Sequence, residues 1–164
     1  MPEKETIERA RRDKRQGKSA STQAGEFVRE EMHHIREGKH GARSTKQAIA
    51  IGLSKARRSG VKLRPPEKGT ASEETRRSAA RDVNRGSSRR KPSARRSAAR
   101  RKALRREGHS AASRPALSRQ AHSSARRRGH ASLKAAARKA ARTKGARGRS
   151  EAARKAARTR ARRK

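Results

Sequence analysis

The side chains in this sequence that can do chemistry are mostly cations, and they come in runs. Arg89-Arg90-Lys91, Arg95-Arg96, Arg100-Arg101-Lys102, Arg105-Arg106, Arg126-Arg127-Arg128 and Arg162-Arg163-Lys164 stand out. A guanidinium is always charged and presents a planar fork of donors that matches phosphate oxygens, so each run reads as a phosphate clamp. Two further sets, Arg138-Lys139 with Arg142 and Arg154-Lys155 with Arg158, sit in an octapeptide AARKAART that occurs twice, sixteen residues apart. The expected partner is a polyanion, nucleic acid above all. If about ten phosphates are neutralised, affinity falls roughly 10³–10⁵-fold between about 50 and 200 mM salt. Phe27 is the one aromatic residue. Stacking platforms for single strands are therefore missing, and the reading tilts towards the DNA duplex backbone rather than RNA, without sequence preference.

Other constellations fail. His33, His34 and His40 lie near Glu30, Glu31 and Glu37, and such clusters can bind metal. On a helix, however, His33 and His34 point apart, and no two histidines stand at i, i+4. They read as surface histidines in ion pairs, and no metal or cofactor is expected. Gly38-x-x-Gly41 lacks the spacing of a phosphate-binding loop. There is no cysteine to supply a thiolate ligand or nucleophile. No Ser/His/Asp arrangement is discernible, so an enzyme is not expected. No window holds ten consecutive apolar residues, which argues against a membrane span. Glu3, Glu5, Glu8 and Asp13 argue against a transit peptide, leaving the cytoplasm, at the nucleoid, as the expected location.

The elements that position these groups are clearest from His40 to Leu63. Ser44 suits an N-cap with Gln47 completing a capping box, and Ile49, Leu53 and Ala56 share one helix face. Gly60 supplies the left-handed stop, with Val61 folded back behind it and Pro65-Pro66 beyond. A helix is thus expected over about 45–59. Another, about 23–37, carries Ala24, Phe27, Val28, Met32 and Ile35 within about 140° of arc, and Gly38 and Gly41 should end it. A weaker one covers about 2–16. The 23–37 helix is acidic and should not face phosphate. Its stripe should pack on Ile49, Leu53 and Ala56, with Leu53 against Phe27 and Val28.

Composition divides the chain at residue 66. Residues 1–66 hold eleven Val, Ile, Leu, Met and Phe, against four in 67–164, and the net charges are +9 and +28. A segment that buries so little apolar surface cannot offset the entropy of ordering its backbone. The expected fold is mainly α: a helical head over 1–66 and a long, intrinsically disordered, low-complexity basic tail over 67–164. Neutralisation on phosphate should then turn stretches such as 132–142 and 150–164 helical. A marginal core also makes self-association of the head an expectation. Ala48-x-x-x-Gly52-Leu53-Ser54 resembles the turn of a helix-turn-helix, but Arg58 and Gly60 break that pattern.

The run EFVREEMHHIREGKHGARSTKQAIAIGLSKARRSGVKL is similar to a small bacterial domain-of-unknown-function family with the signature KHG…S-x-KQAIAIGLS-x-ARxxG, over about residues 3–66. The resemblance implies a bacterial, cytoplasmic protein of the kind sometimes labelled DNA-binding or plasmid-stabilising, and supplies no catalytic residues. The tail is similar in composition to bacterial linker-histone-like proteins. Two functions follow as expectations. One is a histone-like, nucleoid-associated protein that binds DNA by neutralising phosphates. The other is a protein-interaction or plasmid-maintenance module whose head binds a protein partner while the tail tethers it to DNA, RNA or ribosomes.

Overall fold

The computed structural model describes residues 2–86 and 93–162. Helix α1 spans Lys4–Arg15, α2 Ala20–Arg36, α3 Thr45–Arg58, α4 Glu73–Gly86, α5 Ala94–Arg105 and α6 Arg114–Ala161, with a 3-10 turn at Ser110–Ala112. The chain forms two compact units, Met1–Gln120 and Ala121–Lys164. The starts of α2 and α3 have a local cause. The Ser19 hydroxyl caps α2 by accepting from the Thr22 N–H (3.3 Å), three residues earlier than the sequence suggests. Ser44 caps α3 through the Gln47 N–H (3.2 Å). The Gln47 side chain reaches past the cap to accept from the Arg43 N–H (2.7 Å).

The end of α3 is a Schellman motif. The Gly60 N–H donates to the Arg57 carbonyl and the Val61 N–H to the Ala56 carbonyl, both at 3.1 Å, with Gly60 at φ +86°. A side chain at that φ is strained, and Val61 is thereby turned back into the core beside Ala56. Gly38 ends α2 in the same way, the Lys39 N–H reaching the His34 carbonyl at 3.0 Å.

Two apolar clusters hold the first unit. Phe27 and Ala24 of α2 pack with Ala10, Ala56 and Val61, and Leu53 leans on this cluster half-buried. Met32 and Ile35, from the next two turns of α2, pack with Ala42, Ala48, Ala111 and Ala112, with Val28, Ile49 and Leu117 at the margin. Helices α2 and α3 meet at Gly52, where an added methyl would lie 2.7 Å from Val28 Cα and 3.0 Å from the Phe27 carbonyl oxygen. Because α3 is continuous through Gly52, the helix-turn-helix reading falls away.

The long disordered tail expected from residue 67 is corrected: helices follow through to Ala161, and several dock on the head. Ala79 of α4 is buried, and Asp82 accepts from the Ser54 hydroxyl (2.6 Å) and Arg58 Nε (3.0 Å) of α3. The Leu104 and Gly108 carbonyls accept from the Gly41 and Ala42 N–H groups, at 2.9 and 3.0 Å. Gly41 therefore does not help to end α2; its Cα lies so close to the Glu107 backbone that no side chain would fit. The Thr45 hydroxyl donates to the buried Ala111 carbonyl (2.7 Å), and Arg36 Nε to that of Ala112 (2.9 Å). The buried part of the docking surface is alanine, namely Ala79, Ala111 and Ala112. They bury little area each, but they let backbones approach closely enough for these hydrogen bonds. Beyond them, the strong helix propensity of Ala, Arg and Lys prevails over charge repulsion, so 132–142 and 150–161 are helical without a ligand.

In the second unit, Gly129 (φ +74°, ψ 164°) and Gly145 (φ +64°, ψ 177°) break α6. That region of backbone space is essentially open to glycine alone. The two glycines stand sixteen residues apart, so 129–144 and 145–160 are consecutive units of one break glycine and fifteen helical residues, Gly148 being among the helical residues of the second. The repeated octapeptide falls at the same place in each, and the Thr143 and Thr159 hydroxyls donate to the carbonyls of Lys139 and Lys155, both at 3.0 Å.

Candidate nucleic-acid interface

Every one of the expected phosphate-binding residues that the structure describes is exposed. Arg95, Arg96, Arg100, Arg101, Lys102 and Arg105 lie on α5, and Arg106 caps its C-terminus. At 100° per residue the six on α5 are spread around the whole helix, so they form no single face. Arg126, Arg127 and Arg128 immediately precede the Gly129 break. Arg89, Arg90, Lys91, Arg163 and Lys164 lie outside the described residues.

The repeat places its cations with more order. Arg138 and Arg142, like Arg154 and Arg158, stand four apart, on one face and about 6 Å along the axis. Lys134 extends the first row by one turn towards the N-terminus, and Arg162 extends the second by one turn towards the C-terminus. Lys139 and Lys155 flank the rows about 100° away. Lys134 is absent from the runs that the sequence displays, because it has no basic neighbour; its signal is the i, i+4 spacing to Arg138. Three other basic groups of this unit are engaged locally, Arg127 Nη2 donating to the Ser124 hydroxyl at 3.5 Å. Arg147 Nε pairs with Glu151 at 3.2 Å, and Arg149 Nη1 donates across the Gly145 break to the Ala141 carbonyl at 2.7 Å.

Electrostatics separates the units. Residues 121–164 hold seventeen basic and one acidic side chain, a net +16 in 44 residues. Among the described residues, the Arg147–Glu151 pair is the one ion pair in this unit. Like charges at these spacings repel until an anion neutralises them. In the first unit, Arg9 pairs with Glu26 (2.7 Å), Lys18 with Asp13 (2.7 Å) and Arg58 with Asp82 (3.0 Å). The hydrogen bond from Arg9 to Glu26 raises the Arg9 pKa above its ordinary value, with the Glu5 and Glu26 charges adding to it.

His34 and His40 stand beside carboxylates, as the sequence suggests, but they are mostly buried rather than at the surface. His33 is exposed, but His34 and His40 converge on Glu31. Glu30 and Glu31 are themselves buried, so α2 presents less acid to solvent than its composition implies.

The chain is thus a helical protein whose first unit carries a paired, packed core. Residues 11–68 within that unit match a family of unknown function, DUF6496. The match runs from the middle of α1 through α3 and the segment after it. No curated protein and no solved structure matches the chain. No helix among the described residues is long and apolar enough to cross a membrane.

Proposed function

We propose that the protein is a non-catalytic, histone-like, nucleoid-associated protein that binds duplex nucleic acid, DNA rather than RNA, without sequence preference. The observation that carries this reading is the second unit: two equivalent helical segments that present rows of exposed arginine and lysine without carboxylate partners. A row of cations at i, i+4 spacing on a helix supports phosphate contacts at regular intervals. The lack of any aromatic residue there supports backbone contact over base stacking. The finer family signature and the likeness of the basic segment to linker-histone-like proteins belong to this same proposal. The competing idea, a head that offers its apolar stripe to a protein partner, has less support. Phe27, Met32 and Ile35 are covered by the chain itself.

The test compares the full chain with a fourfold variant, R138A, R142A, R154A and R158A, on two unrelated duplexes of equal length. Each phosphate contact contributes about 0.9 to the slope of log affinity against log salt, so the variant should lose about 3–4 from that slope. Both duplexes should bind alike. Equal affinity at low and high salt, a strong preference for one duplex, or an unchanged slope in the variant would each sink the proposal.

A further inference from the structure

Glu31 is wholly buried, and neither of its carboxylate oxygens has a partner in hydrogen-bonding geometry. Two nitrogens nevertheless stand against it. Lys55 Nζ lies 2.6 Å from Oε2, and His40 Nε2 lies 3.2 Å from Oε1. His34 comes from the next turn of α2, and one ligand atom from each of Glu31, His34 and His40 falls within 4.8 Å of the others. Glu30, 3% exposed, shares the same ammonium, at 3.4 Å. Two buried carboxylates thus have one lysine between them.

The outer partners of the imidazoles assign their tautomers. His40 Nδ1 is 3.1 Å from the Gly41 carbonyl, which can only accept, so Nδ1 carries the proton. With no second proton, the ring turns the lone pair of Nε2 towards Glu31 Oε1. Two lone pairs facing one another at 3.2 Å repel unless a cation joins them. His34 Nε2 is 2.8 Å from Glu3 Oε1 and donates to it. That leaves the lone pair at Nδ1, which lies 3.9 Å from Glu30 Oε1. One nitrogen held by a carboxylate or carbonyl and the other left free is the arrangement that orients imidazoles towards a metal.

Two imidazoles and a carboxylate form a borderline donor set. It suits zinc and its neighbours better than calcium or magnesium, which take oxygen ligands. A dication would also neutralise the charge that Lys55 leaves uncompensated, where an unpaired buried charge is costly. We infer that Glu31, His34 and His40 form a binding site for a divalent transition-metal ion of the zinc type. Glu3 and the Gly41 carbonyl hold the two rings, and Lys55 holds the far oxygen of Glu31. The ion ties α2 to the loop that leads into α3, and so pins the turn against which Leu104 and Gly108 dock. The site is independent of the nucleic-acid proposal, since it lies in the first unit and uses none of the exposed cations.

The rival occupant of the gap is a second proton on His40, and the experiment separates the two. Chelator-treated full-length protein is titrated with Co²⁺ and then with Zn²⁺. One equivalent of cobalt should bind with visible d–d absorption, zinc should displace it, and the melting temperature should rise with zinc. His34→Gln and His40→Gln should each weaken zinc binding by at least about tenfold, while His33→Gln, on the exposed side of the same helix, should leave it unchanged. Should either ligand variant fail to fold, the native chain decides by long-range ¹H–¹⁵N spectra of its imidazoles. Joint movement of the His34 and His40 ring nitrogens on adding one equivalent of zinc supports the site. Four outcomes overturn it: no binding at tenfold excess, equal binding in all three variants, movement confined to the other four histidines, or a His40 ring that keeps both protons in the presence of zinc.

Discussion

Over residues 2–86 of the first unit several cations are paired with acids and each helix buries part of one face, while α5 in the same unit does neither. In the second unit neither holds. Arg58 meets Asp82 and Lys55 meets Glu31, whereas Arg138, Arg142, Arg154 and Arg158 form no ion pair, the nearby Glu151 being paired with Arg147. Phe27 and Ile35 are buried in α2, whereas no residue of α6 is buried and Leu133 is an exposed apolar side chain. Both regions are helical, but for different reasons. Packing stabilises helices α1 to α4 of the first unit, with side-chain caps at the starts of α2 and α3. Those of the second rest on the intrinsic preference of alanine and arginine, against the repulsion of +16. The lesson is that secondary structure alone does not report cooperativity. A helix without tertiary partners is ordered only as far as its own propensity carries it.

The largest expected effect follows from that contrast. Amides of 130–161 should exchange with solvent at rates near those of an open helix, with protection below about tenfold, while those of α2 and α3 should be protected up to the global stability of the first unit. Saturating duplex DNA should raise protection in the second unit and leave the first nearly unchanged. Equal protection of both units in the free protein would break the comparison.

Among substitutions, Phe27→Ala should cost the most, about 3–5 kcal/mol, because it empties the centre of one apolar cluster. Chemical denaturation followed by α2 and α3 probes would measure it. Salt-dependent DNA binding should persist wherever the second unit acts independently, and its loss would show the two units to be coupled.

Gly52→Ala sharpens the account of the first unit further. Helix propensity alone would favour alanine by about 1 kcal/mol. The added methyl, 2.7 Å from Val28 Cα, should reverse the sign and destabilise by about 1–3 kcal/mol. Gly60→Ala, with open space around it but a left-handed backbone, should cost about 1 kcal/mol. A stabilised Gly52→Ala protein would mean that α2 and α3 have room to separate.

The smallest effect is one of pH. The hydrogen bond from Arg76 holds the Glu73 carboxyl below its ordinary value of 4.5, against slight desolvation, with the Arg76 charge and Arg77 adding to it. A folded value below the unfolded one means that the pairing stabilises the start of α4 above the ordinary value and is lost as pH falls through the lowered one. An NMR titration should place the Glu73 midpoint below 4.5 and return it towards that value in Arg76→Ala. A midpoint that does not respond to the substitution would show the pair to be without consequence.

Much of the first unit was legible in sequence because its signals are local. Ser44 and Gln47, the Ser59-Gly60-Val61 stop and the stripe through Phe27, Met32 and Ile35 act within a few residues of one another. The spacing puts Leu53 on the correct face, but it is half-buried rather than sealed against Phe27 and Val28. What was not legible depends on distant partners or on small residues. Ala79, Ala111 and Ala112 carry the docking of later segments, and a count of Val, Ile, Leu, Met and Phe gives them no weight. Gly52 reads as a weak point in a helix until Val28 is seen beside it. Glu30 and Glu31 look like solvent-facing acids until Lys55 arrives from α3. The Glu31-x-x-His34 spacing was visible, but only the fold brings His40 to join it. The exposed cations were visible as runs, whereas their sorting into rows needed the two glycine breaks.

Those breaks have a consequence for how the molecule can vary in length. Residues 129–144 carry five basic and no acidic groups, and 145–160 carry six basic and one acidic, so each block has the same net charge of +5. Each begins with the one residue able to adopt the break, so a block can be deleted or copied between glycines without altering the dihedral pattern of its neighbours. On the proposed function, grip on the polyanion is then set by a count of blocks. Removing residues 129–144 would lower the salt slope by about 4–5 and leave every remaining row intact. Adding a block would do the reverse, as valency rather than as improved fit.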